Sequence, residues 1–460
     1  MVEIARVVIA APGSGHGKTS VATGLLAAFR SRGLAVSGHK VGPDYIDPSY
    51  HALASGRPGR NLDPWLVGED LIAPLFRHGA MTPAAADIAI VEGVMGLFDG
   101  AVGRGEFAST AHVAELIRAP VVLVIDATGV GRSVAALVHG FATFQPRVRI
   151  AGVIFNRVGS LRHEQILAEA MAHSGVAMLG TVRRQDTLVT PSRHLGLVPA
   201  AERALAAIAT VDALGAAVAQ GVDLDAVMRI ANSAPPLNDE PCAEAMRTDA
   251  EASRRPVRVA VAGGAAFTFG YTEQVELLTR AGAQVVSFDP LHAEHLPEDV
   301  DGLVIGGGFP EAHVGQLSAN ASLRAQIAAL VRGGTPVAAE CAGLLYLAKS
   351  LDGMPMCGVL DVDAAMTDGL TLGYREAVAP SDTLLVPAGT RVRGHEFHRT
   401  ACTPPASTCP AWQWKAAGDA VTEGFADGSL HASYLHLHWS GNPGIADRFV
   451  AACRTSDSRS

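Results

Sequence analysis

Short runs of consecutive apolar residues recur along the chain, each closed by glycine, proline or an acid: RVVIAA, ADIAIVEG, PVVLVIDA and IAGVIFN. Helical stretches, such as 19–32 and 109–118, lie between them. Strands that are apolar at nearly every position and alternate with helices predict a parallel sheet covered on both faces. The rhythm stops over 234–256, APPLNDEPCAEAMRTDAEASRRP, where proline, charged and small residues leave no apolar period. It resumes with VRVAVAGG, AQVVSFDP, DGLVIGGG and TPVAAECAG. The pattern predicts an α/β domain over 1–233, a linker over 234–256, a second α/β domain over 257–450 and a frayed tail over 451–460.

A chain of 460 residues suits two or three domains at roughly 150–250 residues each. With 48% hydrophobic and 18% charged residues it can fill large cores, and its net charge of −9 argues against general nucleic-acid or membrane-surface binding. Any anionic substrate must be held locally. The six cysteines, at 242, 341, 357, 402, 409 and 453, form no CxxC pair and read as reduced thiols of a cytoplasmic protein. The N-terminal MVEIARVVIAAPGSG runs straight into a glycine loop, unlike a secretory signal. No apolar run approaches the roughly 18–20 residues that cross a bilayer.

Two stretches carry candidate chemistry. In APGSGHGKTS, residues 11–20 close a strand, turn on glycines and open a helix, matching GxxxxGK[ST] except that Pro12 stands at the first glycine. Backbone N–H groups of such a loop, the helix dipole, Lys18 and the Thr19 hydroxyl suit a Mg²⁺-polyphosphate. Around it, HKVGPDYIDP supplies Lys40, Asp44 and Asp47, and IVEGVMGLFDG supplies Glu92 and Asp99. Asp44 and Glu92 suit Mg²⁺, directly or through water, because strand-end carboxylates face the ligand crevice. Asn156 ends a strand, where its amide suits a purine edge or simply a turn. The second stretch, TPVAAECAGLLYLA, reads strand, sharp turn, helix, with Cys341 at the turn, where a nucleophile is exposed and a helix N-terminus lowers its pKa. The glycines of LVIGGGFPE offer N–H groups to an oxyanion. In ASYLHLHWSG, His436 or His438 suits a base, and alternate strand residues share a face.

APGSGHGKTS, KVGPDYIDPSYH, EGVMGLFDG, GGGFPE, ECAGLLYL, GHEFHRT and SYLHLH together resemble the cobyrinic or hydrogenobyrinic acid a,c-diamide synthases of cobalamin biosynthesis, from about residue 6 to 450. The resemblance implies two domains, each with a mostly parallel sheet covered by helices: a P-loop, dethiobiotin-synthetase-like ATPase, then a class I glutamine amidotransferase. It implies a cytoplasmic ligase that uses ATP, Mg²⁺ and L-glutamine to amidate first the c and then the a carboxylate of a corrin, as a homodimer without nucleic-acid or membrane partners. Carried over by motif, Gly13, Ser14, Gly15, His16, Gly17, Lys18, Thr19 and Lys40 hold ATP, to which the strand-end amide of Asn156 is added from its own position, and Thr19, Asp44 and Glu92 serve Mg²⁺. Tyr45, Asp47 and Asp99 lie toward the substrate carboxylate, and GHEFHRT faces the corrin. Cys341 forms a glutamyl thioester, His436 activates it, and the Gly308 and Ala342 backbones form the oxyanion hole. The acid two residues after the histidine in related amidotransferases is His438 here, so a Cys–His dyad is expected. The alternatives are a partition-type or nucleotide-switch ATPase with a binding module, weakened by Gly13 where partition ATPases carry an extra lysine, and a dethiobiotin-type ligase with no use for glutamine.

Overall fold

A computed structural model describes residues 4–184, 192–193, 196–197, 200–237, 256–416 and 418–456. Most of the expected linker, 238–255, and the last four residues of the expected tail lie outside them. The chain divides into two compact units at residue 242. Among the described residues no helix is long and apolar enough to cross a membrane.

The described residues of the first unit form a seven-stranded parallel sheet. Its strands are β1 (Arg6–Ala10), β2 (Val36–Val41), β3 (Arg60–Leu62), β4 (Ile88–Glu92), β5 (Val121–Asp126), β6 (Ile150–Val158) and β7 (Ala177–Arg183), in the order β3-β2-β4-β1-β5-β6-β7. β1, β2 and β4 are buried at every residue, as strands covered on both faces must be. The central strand β1 feeds the glycine loop into α1 (Lys18–Ser31), and α2 (Asp47–Ser55) follows β2. The long helix α3 (Ala204–Gly221) crosses α1 where side chains are smallest. A Cβ on Gly24 would meet the Leu214 carbonyl at 2.8 Å, and one on Gly215 would meet Ala27 Cβ at 2.8 Å. Buried Arg6 donates to the carbonyls of Ile117 and Pro235, and so pins the start of the expected linker to this unit.

The second unit also centres on a mostly parallel sheet, with β8 (Val257–Ala262), β9 (Ala283–Phe288), β10 (Gly302–Ile305) and β11 (Val337–Glu340). Alternation works as strand geometry requires: Leu303, Ile305, Val337 and Ala339 enter one core, while Val304 and Ala338 enter the other with Trp412 and Trp439. α4 (Thr272–Arg280) follows β8, and α5 (Ala342–Leu347) leaves β11.

The sequence pattern did not announce a second, largely antiparallel sheet in this unit. It is built on a ribbon of β12 (Asp363–Val378) and β13 (Arg391–Thr403), with β14 (Trp412–Ala416) and β15 (Asp419–Glu423) beside it. The chain then returns to the central sheet as β16 (Leu430–Ser433), parallel to β11, and crosses to β13 as β17 (His436–Leu437). Residues 451–456, expected to fray, continue the last helix, α6 (Gly444–Ser456), and bury Cys453 fully.

Candidate active site

In the first unit, register assembles the site. Lys40 on β2 lies opposite Glu92 on β4, and Asp126 on β5 lies opposite Asn156 on β6, all near the carboxyl ends that border the glycine loop. Lys40 Nζ donates to Asp47 Oδ2 at 2.7 Å, Glu92 Oε1 at 2.8 Å and the Gly93 carbonyl at 3.1 Å. The Thr19 hydroxyl donates to Glu92 Oε1 at 2.6 Å and lies 3.3 Å from Asp47 Oδ2. His51 Nε2 meets Glu92 Oε2 at 2.7 Å, with both side chains fully buried. One carboxylate thus takes bonds from an alcohol, an ammonium and an imidazole. Burial opposes charge on Glu92, yet Lys40 and His51 hold its pKa below the usual range. Burial likewise opposes charge on Lys40, but Asp47 and Glu92 outweigh it and raise its pKa. Asp47 is pushed up by burial, Asp44 and Glu92, so Glu92 carries its charge the more firmly of the pair.

Asp44, expected at the metal, spends Oδ1 on the N–H groups of Ile46 and Asp47 and so shapes the start of α2. Asp47, expected toward the substrate, stands in the cluster with Thr19, Lys40 and Glu92. Tyr45 is buried in the same loop. Asp99 is exposed and its Oδ2 accepts from the Gly96 N–H, closing the turn after β4. Among the described residues, His, Cys, Asp and Glu alone form no group of three arranged for a metal ion. The oxygens of Thr19, Asp47 and Glu92 nevertheless converge, and a cationic ammonium already sits between the two carboxylates. This hard, all-oxygen donor set fits Mg²⁺ completed by phosphate oxygens and water.

In the loop itself, Ser14 and Gly15 form the exposed tip. Lys18 Nζ donates to the Gly13 carbonyl at 2.9 Å and to Met95 O, and burial, aided by Lys40, lowers its pKa to about 8. Gly17 takes φ 90°, and a Cβ there would lie 2.1 Å from Asn156 Nδ2. Asn156 is committed to the loop backbone, donating to His16 O at 3.0 Å and accepting from Arg157 N at 2.9 Å. His16 Nδ1 accepts from the Asp126 N–H. Arg157, at φ 55°, reaches Gly15 O and Asp126. Sequence reasoning passed over His51 and Arg157. The signal for His51 was present: it lies four residues after Asp47, on one face of α2.

In the second unit, Cys341 occupies the turn between β11 and α5 with φ 47° and ψ −98°, a strained conformation for any residue with a Cβ. Its N–H bonds to Ser433 O at 2.8 Å. Gly343 permits the sharp turn, since a Cβ there would lie 2.2 Å from Ile305 O. The Gly343 N–H in turn reaches Gly306 O at 3.1 Å. The glycines 306–308 abut His436: a Cβ on Gly307 would lie 2.5 Å from its Cε1. A Cβ on Gly308 would strike Ala266 O at 2.1 Å. The elbow, the glycine loop and His436 therefore converge.

The thiol departs from expectation. Burial pushes the Cys341 pKa up and Glu311 and Glu340 add to it, against a single opposing bond from the Ala342 N–H. The helix N-terminus does not prevail because the sulfur is enclosed. His436 is fully buried, with Nδ1 3.8 Å from Glu340 Oε2 and its ring stacked on His395 at 4.9 Å. His438 stacks on Tyr271 at 4.3 Å and places Nε2 3.6 Å from Glu273. The GHEFHRT segment lies on β13 and turns inward: Tyr271 Oη meets His395 Nε2 at 3.2 Å, Glu396 pairs with Arg375 at 2.6 Å, and His398 stacks on Tyr434 at 3.9 Å. Beneath this, buried Glu423 accepts from Ser433 Oγ and the Tyr434 N–H, each at 2.7 Å, fixing the strand that leads to His436. Burial pushes Glu423 up to about 8.

Comparisons with known proteins follow the two units. Residues 7–198 match the CobQ/CobB/MinD/ParA nucleotide binding domain, and residues 258–444 match the CobB/CobQ-like glutamine amidotransferase domain. The chain is 57% identical to the hydrogenobyrinate a,c-diamide synthase of Streptomyces coelicolor, over 98% of both chains. It is 52% identical to that of Thermobifida fusca, over 98% of this chain and 97% of the relative. It is 45% identical to the cobyrinate a,c-diamide synthase of Gloeobacter violaceus, over 97% and 96%.

Proposed function

Because the chain belongs to the family of hydrogenobyrinate and cobyrinate a,c-diamide synthases, we propose that it is a ligase that amidates the a and c carboxylates of hydrogenobyrinic acid, or of its cobalt form, with ATP and glutamine. The observation that carries this reading is Cys341 at its strained elbow, converging with His436 and a glycine loop, in a chain that also has a phosphate loop ringed by Lys40, Asp47 and Glu92.

A carboxylate is a poor electrophile, so the first unit makes it a better one. The glycine loop and Lys18 hold the ATP phosphates, and Lys40 contacts the transferring group. Mg²⁺ would be held by Thr19, Glu92 and Asp47, with Asp44 setting the start of α2, and when bound it neutralises phosphate charge. Attack by a substrate carboxylate oxygen on the γ-phosphorus releases ADP. The resulting acyl phosphate is opened by ammonia, whose nitrogen bonds to the carbonyl carbon as the carbon–oxygen bond to phosphate breaks. Tyr45 and Asp99 are assigned to the substrate side, and Asn156 supports the loop beneath the nucleotide.

The second unit supplies ammonia in its nucleophilic, unprotonated form. Cys341 passes its proton to His436 as sulfur bonds to the side-chain carbonyl carbon of glutamine. That carbon–nitrogen bond then breaks, the nitrogen takes the proton, and ammonia leaves. Water cleaves the thioester to glutamate and the free thiol. The Gly308 and Ala342 N–H groups stabilise the oxyanion at each tetrahedral stage. The test is ADP and diamide formation from hydrogenobyrinic acid, with glutamine or ammonium chloride. Cys341→Ala should fail with glutamine and still make diamide with ammonium. A wild-type chain that amidates neither this corrin nor its cobalt form sinks the substrate assignment.

A further inference from the structure

The histidine of a Cys–His pair needs a partner that fixes its tautomer and steadies the imidazolium formed when the thiol proton arrives. Position 438, where related amidotransferases carry an acid, is a histidine here. Two carboxylates stand near. Glu273 approaches His438, which is linked to His436 through the His438–Tyr271 stack, the Tyr271–His395 bond and the His395–His436 stack. Glu340 approaches His436 itself, with Oε2 3.8 Å from Nδ1. The His436 side chain is fully enclosed and that of Glu340 is 15% exposed, so little water screens the pair.

We propose that Glu340 is the positioning residue for His436, filling from the nucleophile's own strand the place that His438 leaves without an acid. This rests on the reading of Cys341 and His436 as the glutaminase pair. Glu340 is the last residue of β11, and its backbone pairs with Ser433 on β16, two elements that also carry Cys341 and lead to His436. Facing Nδ1, its carboxylate favours the tautomer with the proton on that nitrogen, leaving Nε2 to accept the proton of the thiol. The separation is that of an ion pair, and the attraction rises as the ring gains charge. Glu340 neither gains nor loses a proton in the cycle. His395 stacks on a face of the same ring, so its rotation is limited there as well as at Nδ1.

The assay uses the full chain with ATP and hydrogenobyrinic acid, and compares Glu340→Gln, Glu340→Asp, Glu273→Gln and Cys341→Ala with each nitrogen donor. Glu340→Gln should lose about 100-fold in kcat with glutamine, the scale of an acid–base contribution, at unchanged glutamine KM. Its ammonium-dependent rate should match wild type. Glu340→Asp, which keeps the charge, should recover part of the loss, and Glu273→Gln should lose less than Glu340→Gln. A wild-type kcat in Glu340→Gln overturns the proposal, as does a loss shared by both donors or a larger loss in Glu273→Gln. Cys341→Ala separates the two levels: if it still uses glutamine, the glutaminase reading itself has failed, whatever Glu340 does.

Discussion

Replacing Lys40 by methionine removes the ammonium that sits between two carboxylates held inside the first unit. Lys40 Nζ lies 2.7 Å from Asp47 and 2.8 Å from Glu92, and both residues are buried. At an effective dielectric of about 20, each contact is worth about 6 kcal/mol of gross attraction, from which the cost of drying the ammonium must be taken. Breaking a buried pair by removing one partner typically costs about 3–5 kcal/mol. A ceiling follows from proton chemistry. An abandoned carboxylate can always take up a proton, which costs about 5 kcal/mol at pH 8 and about 2 kcal/mol at pH 6. Lys40→Met should therefore destabilise the first unit by about 3–5 kcal/mol at pH 8 and by about 2 kcal/mol at pH 6. Because the chain has two units, a single global unfolding transition is not well defined. The suitable assay is native-state hydrogen exchange of peptides covering β1 and β4, followed at both pH values. Protection within about 1 kcal/mol of wild type at pH 8, or an equal loss at the two pH values, would refute the argument from buried charge.

Two further outcomes follow from particular contacts. Gly17→Ala places a methyl 2.1 Å from Asn156 Nδ2 at φ 90°, so ATP should bind about 10- to 100-fold more weakly by calorimetry, and Asn156→Ala in the same chain should restore part of the affinity. Glu423, pushed from its ordinary 4.5 up to about 8, binds a proton more tightly folded than unfolded. Its contribution is thus present below about pH 4.5 and lost as pH rises through 8, a slope of about 3–5 kcal/mol in all that Glu423→Gln should flatten in pH-dependent exchange of β16 amides.

How much of this was legible in the sequence depends on the range of the interaction. The apolar strands announced themselves because each is buried on both faces, and the phosphate loop and cysteine elbow did so because both are local strand–turn–helix units. β12 did not, because DGLTLGY in the middle of that ribbon is largely exposed and has no face to bury, so no two-residue alternation marks it. The inward turn of GHEFHRT depends on the His395–His436 register, which joins strands 41 residues apart in the chain. Asp44, expected at the metal, and Asp47, expected toward the substrate, lie three residues apart, and the sequence does not show where each carboxylate points. The start of α2 separates them: one carboxylate caps backbone N–H groups and the other points into the cluster. The state of the thiol was out of reach altogether, since enclosure is a property of the finished fold.

That enclosure bears on durability. Peroxides and alkylating agents react with thiolate, and a sulfur kept as a buried thiol offers them little. Of the described cysteines only Cys409 is exposed, on a segment with no part in the chemistry above. Among the described cysteines, oxidative wear on the resting protein should therefore fall first on Cys409, while the enclosed Cys341 sulfur is spared.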